Sequence, residues 1–364
     1  MKNSAQQLNK NQSMLRASMR NYITKTMTAL SLTGVMTASV MASITIPERT
    51  IPTPPGVSEE LASIIEQKVY PTGIPIPTTD EEWQAARSAL DSLHADIAIT
   101  AAERLGVHYE RKIFAGVDTF FVTPKKVSPQ YQDRWLVHVH GGAFVFGGDE
   151  SALREAIWVA DGLNAKVISV NYRQPPEHPF PAAIDDTVAV WKELIKIQPA
   201  EKTALFGTSA GGNITLTTTL KLKELGAPLP GVLFAGTPAT DLKETSDSWL
   251  TLQGLDPLGG RDGIINAAFD VYANGEPLDN PLLSPVYGDL SNFPPTILIS
   301  GTRDLLLSDT VRMHRALRAQ NIDAQLHIYD GQTHADYLQS LVQPVPESDD
   351  ALKELSRFFD KHIN

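Results

Sequence analysis

Ser209 stands between two glycines in the run Gly207-Thr208-Ser209-Ala210-Gly211. A serine hydroxyl is a weak nucleophile, and a Gly-x-Ser-x-Gly turn is one way to make it a strong one. Such a turn passes from strand to helix so sharply that the positions two before and two after the serine have no room for a Cβ. It also aims the positive end of the following helix at the place where negative charge develops during acyl transfer. The flanking residues agree: an apolar stretch ends at Gly207, and a Thr- and Leu-rich helical stretch starts at Gly211. Taken alone, the same letters also fit a glycine-rich turn with a capping serine.

A serine nucleophile needs a base, and the chain holds nine histidines. In folds built around such an elbow the acid and the base follow the serine in chain order. That leaves His314, His327, His334 and His362. His314 falls in a helical pattern beside Arg312 and Arg315, His327 alternates with Leu326 and Ile328 on a strand, and His362 is close to the chain end. His334 lies in a loop, after Asp330-Gly331-Gln332-Thr333, between a strand and the last helix. Loops at strand ends are where catalytic groups are presented, so His334 is the expected base. The acid that fixes the imidazole tautomer and stabilises the imidazolium is expected at Asp304, after the apolar strand Thr296–Gly301. Asp309 competes for that role, although its place in the first turn of the next helix suits a helix-dipole residue.

The run His140-Gly141-Gly142-Ala143 follows the apolar stretch 135–139. Two adjacent glycines let backbone N–H groups turn toward one point, which is what an oxyanion requires. Gly141 and Gly142, with the N–H of Ala210, form the expected oxyanion hole. Phe144, Phe146, Phe180 and Trp249 are candidates for lining a substrate pocket, although aromatics more often build core. In Glu177-His178-Pro179-Phe180, buried hydrogen bonding beneath the site is expected for the charged groups. No HExxH, phosphate loop or dinucleotide fingerprint occurs, so no metal or organic cofactor is expected.

These groups need a scaffold that brings distant residues together. From about residue 107 the text alternates between short apolar strands and helices. Strands are expected at 112–122 around Gly116, and at 135–140, 165–172, 203–207, 231–235, 296–301 and 324–329. Helices are expected at 152–163, 181–197, 211–225, 308–320 and 349–362. The rhythm implies an α/β domain with a mostly parallel sheet covered on both faces, formed by residues 106–239 and 291–364. Residues 43–57 read as a linker and 58–105 as helices, with the second starting on an Asp80 N-cap signal. The stretch 43–105 is a candidate cap, and 240–290, irregular and rich in Gly and Pro, a second cap insertion.

His140-Gly141-Gly142, the stretch from Tyr172 through Pro175-Pro176-Glu177-His178-Pro179 to Ala183, Gly207-Thr208-Ser209-Ala210-Gly211-Gly212-Asn213 and the Asp304/His334 pair together resemble the bacterial hormone-sensitive lipase family. The Thr before the serine is similar to that family's GTSAG subgroup. The likeness runs over about residues 60–362. It implies an α/β-hydrolase fold with a helical cap and a carboxylesterase acting on short acyl chains. It also implies a Ser209–His334–Asp304 triad with Gly141, Gly142 and Ala210 as the oxyanion hole. Ala143 departs from the family's third glycine, and Asp304-Leu305-Leu306-Leu307-Ser308-Asp309 departs from its usual acid motif, which keeps Asp309 in view. The same triad would serve an amidase or a deacetylase, and a ligand-binding protein on an inactive hydrolase scaffold is the reading from another class.

Composition narrows the partners. A net charge of −11 without a long basic run argues against nucleic acid, and a small-molecule ester is the expected partner. The absence of cysteine removes disulfides and thiol nucleophiles. Residues 1–26 carry five basic and no acidic residues, and 27–42 run apolar and small. This is the layout of a signal peptide, too short for a membrane span of about 20 residues. The expectation is a periplasmic or secreted protein with no span after processing, or a cytoplasmic one if Met14 or Met19 is the start. Edge strands near the C-terminus could mediate a homodimer.

Overall fold

A computed structural model of the chain describes residues 47–363 apart from 71, 72, 244 and 261. The signal-peptide expectation for 1–42 lies outside the described residues.

Eight strands form one sheet: β1 (His108–Phe114), β2 (Val117–Thr123), β3 (Trp135–Val139), β4 (Lys166–Val170), β5 (Ala204–Thr208), β6 (Val232–Gly236), β7 (Thr296–Gly301) and β8 (Ala324–Tyr329). Their spatial order is β1-β2-β4-β3-β5-β6-β7-β8. β2 is antiparallel to β1 and β4, and the rest of the sheet is parallel. The central strands β5, β6 and β7 are buried along their whole length, as strands covered on both faces must be. Val137, Val139, Leu205, Leu233 and Leu298 pack into one core, and Leu136, Phe206, Phe234, Ile297 and Ile299 into the other. The edge strand β1 is almost wholly exposed.

The helices are α1 (Glu59–Gln67), α2 (Asp80–Leu105), α3 (Leu153–Leu163), α4 (Ala182–Leu194), α5 (Ala210–Glu224), the single turn α6 (Ser248–Thr251), α7 (Ile264–Ala273), α8 (Leu307–Ala319) and α9 (Pro346–His362). The expected elements of the sheet domain fall within a few residues of these, and two regions differ. The N-cap of α2 is Thr79 rather than Asp80: its hydroxyl accepts from Glu82 N–H while the Glu82 carboxylate returns to the cap, a Thr-x-x-Glu capping box. The insertion 240–290 is not merely irregular, because α7 runs through it. That helix (sequence IINAAFDVYA) has few polar residues to mark an outer face, so helical periodicity is hard to see. Among the described residues no helix is long and apolar enough to cross a membrane.

Candidate active site

β5 ends at Thr208, and Ser209 turns the chain into α5 with φ 62° and ψ −121°. For a residue with a Cβ this is a strained conformation. The flanking glycines are what permit it. A Cβ on Gly207 would stand 2.2 Å from the Val139 carbonyl oxygen, and one on Gly211 2.0 Å from the same atom. The Ser209 N–H is anchored to the Gly236 carbonyl at 2.8 Å. The Ser209 side chain makes no capping bond to the helix it precedes, which removes the capping-serine reading, and it faces a cavity.

His334 lines the same cavity, in the loop after β8. Its Nδ1 lies 3.1 Å from Asp304 Oδ1. Asp304 is completely buried and fully engaged. Oδ1 also accepts from Leu306 N–H at 2.9 Å, and Oδ2 accepts from the hydroxyls of Ser300 at 2.8 Å and of Thr237. Burial alone would raise the Asp304 pKa, but the His334 charge and these hydrogen bonds hold it below the usual carboxylate range. Burial likewise works against the imidazolium of His334. The charge and hydrogen bond of Asp304, with Asp256 and Asp336 behind, outweigh it and raise the pKa above 6.5. If the neutral imidazole is the working form, the acid limb of a kcat/KM–pH profile should have its midpoint above 6.5; a midpoint below it would contradict the geometry.

Asp309 sits elsewhere. It is buried near Thr240 and Asp241, with one carboxylate oxygen unpartnered. Burial, then the charge of Asp241, push its pKa from 3.8 up to about 7. Because the folded pKa exceeds the unfolded one, stability falls as pH rises between those values. Asp309→Asn should therefore flatten the decline in Tm between about pH 4 and pH 7 and leave turnover within about threefold. Thermal melts across pH, beside an activity assay, check both.

Gly141 and Gly142 also line the cavity. Neither could carry a side chain without movement: a Cβ on Gly141 would come 2.7 Å from the Thr208 carbonyl oxygen, and Gly142 has φ 116° with a Cβ contact of 2.1 Å to the Phe146 carbonyl oxygen. Among the described residues their N–H groups donate to no protein acceptor. Ala210 opens α5, where helix geometry leaves its N–H without an intrahelical partner. His140 supports the loop from below. It stacks on Tyr172 at 4.0 Å between ring centroids, and Nδ1 lies 2.8 Å from the Gly141 carbonyl oxygen. Burial drives its pKa down to about 3, so it stays neutral.

The cavity holds about 630 Å³, in the range of small-molecule sites. Its walls are largely apolar: Ala86, Leu90 and Leu93 from α2, and Leu258, Ile264, Ile265 and Phe269 from the insertion. Both cap segments thus face the serine. Of the four aromatics considered from sequence, only Phe146 lines this space. Phe144 is fully buried and stacked on Tyr272 at 3.9 Å, Phe180 packs edge-on against the same ring, and Trp249 packs edge-on against Phe269. Phe144 and Trp249 are core, and Phe180 is half-buried and packs against that core. Glu177 also differs from expectation. It is at the surface, paired through both oxygens with Arg87 of α2, and so fastens the cap rather than supporting the site from beneath.

Sequence reasoning missed Asp256, a buried carboxylate in the insertion. Its Oδ2 accepts from Leu305 N–H at 3.0 Å and His334 N–H at 3.1 Å, and Oδ1 from Leu258 N–H at 2.9 Å. One side chain thus joins the insertion to the acid loop and the base loop. Burial and the Asp304 charge push its pKa up to about 6. Also missed was the chain beneath the elbow, where Glu155 accepts from the Thr208 hydroxyl at 2.6 Å and meets His138 Nε2 at 3.1 Å.

Comparison with known proteins gives a consistent set of likenesses. The α/β hydrolase fold family matches residues 136–338. An acetyl-hydrolase of Streptomyces hygroscopicus is 32% identical over 196 residues, which are 53% of this chain and 65% of that protein, a little under two thirds of its length. An esterase of Acinetobacter venetianus is 28% identical over 225 residues, 61% of this chain and 73% of that protein. The crystal structure of an esterase, E25, superposes with a TM-score of 0.84 at 43% identity, covering 88% of this chain and 99% of that one. An esterase from the bacterial hormone-sensitive lipase family superposes with a TM-score of 0.71 at 26% identity, covering 84% and 99%.

Proposed function

Because the chain belongs to the α/β-hydrolase fold family, among esterases of the bacterial hormone-sensitive lipase family, we propose that it is a carboxylesterase that hydrolyses short-chain carboxylic esters through an acyl-enzyme on Ser209. One observation carries this reading. A single, mostly apolar cavity is lined at once by Ser209, by His334 hydrogen-bonded to the buried Asp304, and by Gly141 and Gly142 with unspent N–H groups.

The proposed chemistry starts from the bond between His334 and Asp304 and from the cavity that His334 and Ser209 share. His334 gives its Nδ1 proton to the Asp304 hydrogen bond, so Nε2 carries the lone pair. Nε2 takes the Ser209 proton as Oγ attacks the ester carbonyl carbon. The carbonyl oxygen becomes an oxyanion, held by the N–H groups of Gly141, Gly142 and Ala210. Each such donor is worth roughly 2.7–4 kcal/mol in the transition state. The imidazolium returns the proton to the leaving alcohol, and the C–O bond breaks. Water, activated by Nε2, then attacks the acyl-enzyme and frees the acid and Ser209. No step calls on a metal or an organic cofactor. The largely apolar walls suit the hydrocarbon parts of a small-molecule ester, and the short-chain preference rests on the family resemblance.

The test is hydrolysis of p-nitrophenyl esters from acetyl to palmitoyl. Turnover should peak at the short acyl chains and fall steeply at the long ones. A folded protein that cleaves none of them would remove the esterase reading. Export is part of the proposal on the N-terminal pattern alone, and sequencing the N-terminus of protein purified from its host checks it.

A further inference from the structure

The active-site cavity contains a cation that hydrolysis of a neutral ester does not need. Arg154 is the second residue of α3 and lines the cavity with Ser209 and His334. A guanidinium carries five N–H donors. Among the described residues Arg154 makes neither a hydrogen bond nor an ion pair, and its Nε is shut off from solvent without a partner. The side chain as a whole is only half-buried, so its terminal nitrogens stay open to the cavity, where a ligand can reach them.

No neighbouring group bonds to it. The charge of Glu155, next in the chain, acts on Arg154, but both of its oxygens are bonded elsewhere, one to Thr208 and one to His138. His94, across the cavity wall on α2, is pushed down to about 4 by burial and by the Arg154 charge, and so is neutral. The position adds to the imbalance. Arg154 stands at the N-terminal end of α3, where the helix dipole is itself positive and a cation is disfavoured. Ser151 and Gln339 line the same wall and offer further polar contacts.

We propose that Arg154 recognises an anion on the substrate, so that the esters this site turns over best carry a carboxylate on the portion that lies between α2 and the start of α3. The planar fork of donors fits a carboxylate edge-on through two parallel hydrogen bonds. One guanidinium without a bonded partner offers one such fork, which matches a single carboxylate. The proposal rests on the esterase reading above and adds the substrate class.

Matched pairs of esters test it. Monomethyl adipate against methyl hexanoate places the carboxylate on the acyl side, and the acetyl ester of hydroxyhexanoate against hexyl acetate places it on the alcohol side. Initial rates are followed by acid release in a pH-stat for wild type, Arg154→Met and Arg154→Lys. In at least one pair, wild type should favour the acid-bearing ester in kcat/KM. Arg154→Met should lower that ratio by roughly tenfold or more, the range expected for a charge-assisted bond in a water-poor site. Turnover of the neutral ester should fall less than that of the acid-bearing ester, and Arg154→Lys should keep part of the preference, because charge remains while the fork is lost. In wild type alone, hexanoate should inhibit p-nitrophenyl acetate turnover competitively and far more strongly than hexanol, a readout that needs no variant to fold. Ratios untouched by Arg154→Met, or wild type rejecting both acid-bearing esters while cleaving the neutral ones, would overturn the proposal and leave the esterase intact. Failure on all four esters would instead remove the esterase reading itself.

Discussion

Ser209→Ala is expected to lower kcat for a short-chain p-nitrophenyl ester by roughly 10⁴- to 10⁶-fold, with KM changed far less. The substitution removes one oxygen and little else. The hydroxyl makes no capping bond, and the fold holds the residue by its backbone, through the Ser209 N–H to the Gly236 carbonyl. Alanine keeps the same Cβ at φ 62°, so the strain of the turn is unchanged. Circular dichroism and Tm should match wild type. Residual turnover should reflect the N–H groups of Gly141, Gly142 and Ala210, which still attract a developing oxyanion for attack by water. A loss smaller than about 100-fold would place the nucleophile elsewhere.

Asp304→Asn is the second large effect, expected near 10⁴-fold in kcat. Asp304 accepts four hydrogen bonds, from His334 Nδ1, Leu306 N–H and the hydroxyls of Ser300 and Thr237. An amide has one acceptor oxygen. Two of the donors sit at each carboxylate oxygen, so in either orientation the NH₂ group meets two donors. Either His334 faces an NH₂ and must present its wrong tautomer, or Thr237 and Ser300 must reorient. The charge that favours the imidazolium is lost as well, so the residual activity should show an acid limb shifted to lower pH. The pair Asp304→Asn and Asp309→Asn decides which carboxylate is the acid. A severe loss at 309 with a mild one at 304 would reverse the assignment.

What could be read from the sequence was whatever the backbone dictates over a few consecutive residues. Gly207 and Gly211 are required because one carbonyl oxygen, that of Val139, blocks a Cβ at both, and such a constraint leaves its mark in adjacent letters. Gly141-Gly142 is legible for the same reason. Asp304 and His334 stood out as candidates because strands β7 and β8 end a few residues before them. Long-range contacts leave no such mark. Asp256 lies in glycine- and proline-rich text, and only the folded chain shows it holding Leu305 and His334. Arg154 reads as an ordinary polar position of a helix, and nothing in its neighbours shows that this face is turned inward. Phe144, Phe180 and Trp249 were drawn toward the pocket by their proximity to motifs. Tyr272 and Phe269, from a helix the sequence did not reveal, cover them instead.

The most direct measurement is covalent capture of the nucleophile. Wild type is treated with a diethyl p-nitrophenyl phosphate ester, which phosphorylates an activated serine as p-nitrophenolate leaves. Intact mass, peptide mapping and residual esterase activity are then followed together. The expected result is one diethylphosphoryl group per chain, on the peptide containing Ser209, with activity lost in proportion and protection by a short-chain ester. Labelling confined to another residue, or full labelling of Ser209 with esterase activity retained, would contradict an acyl-enzyme at this serine.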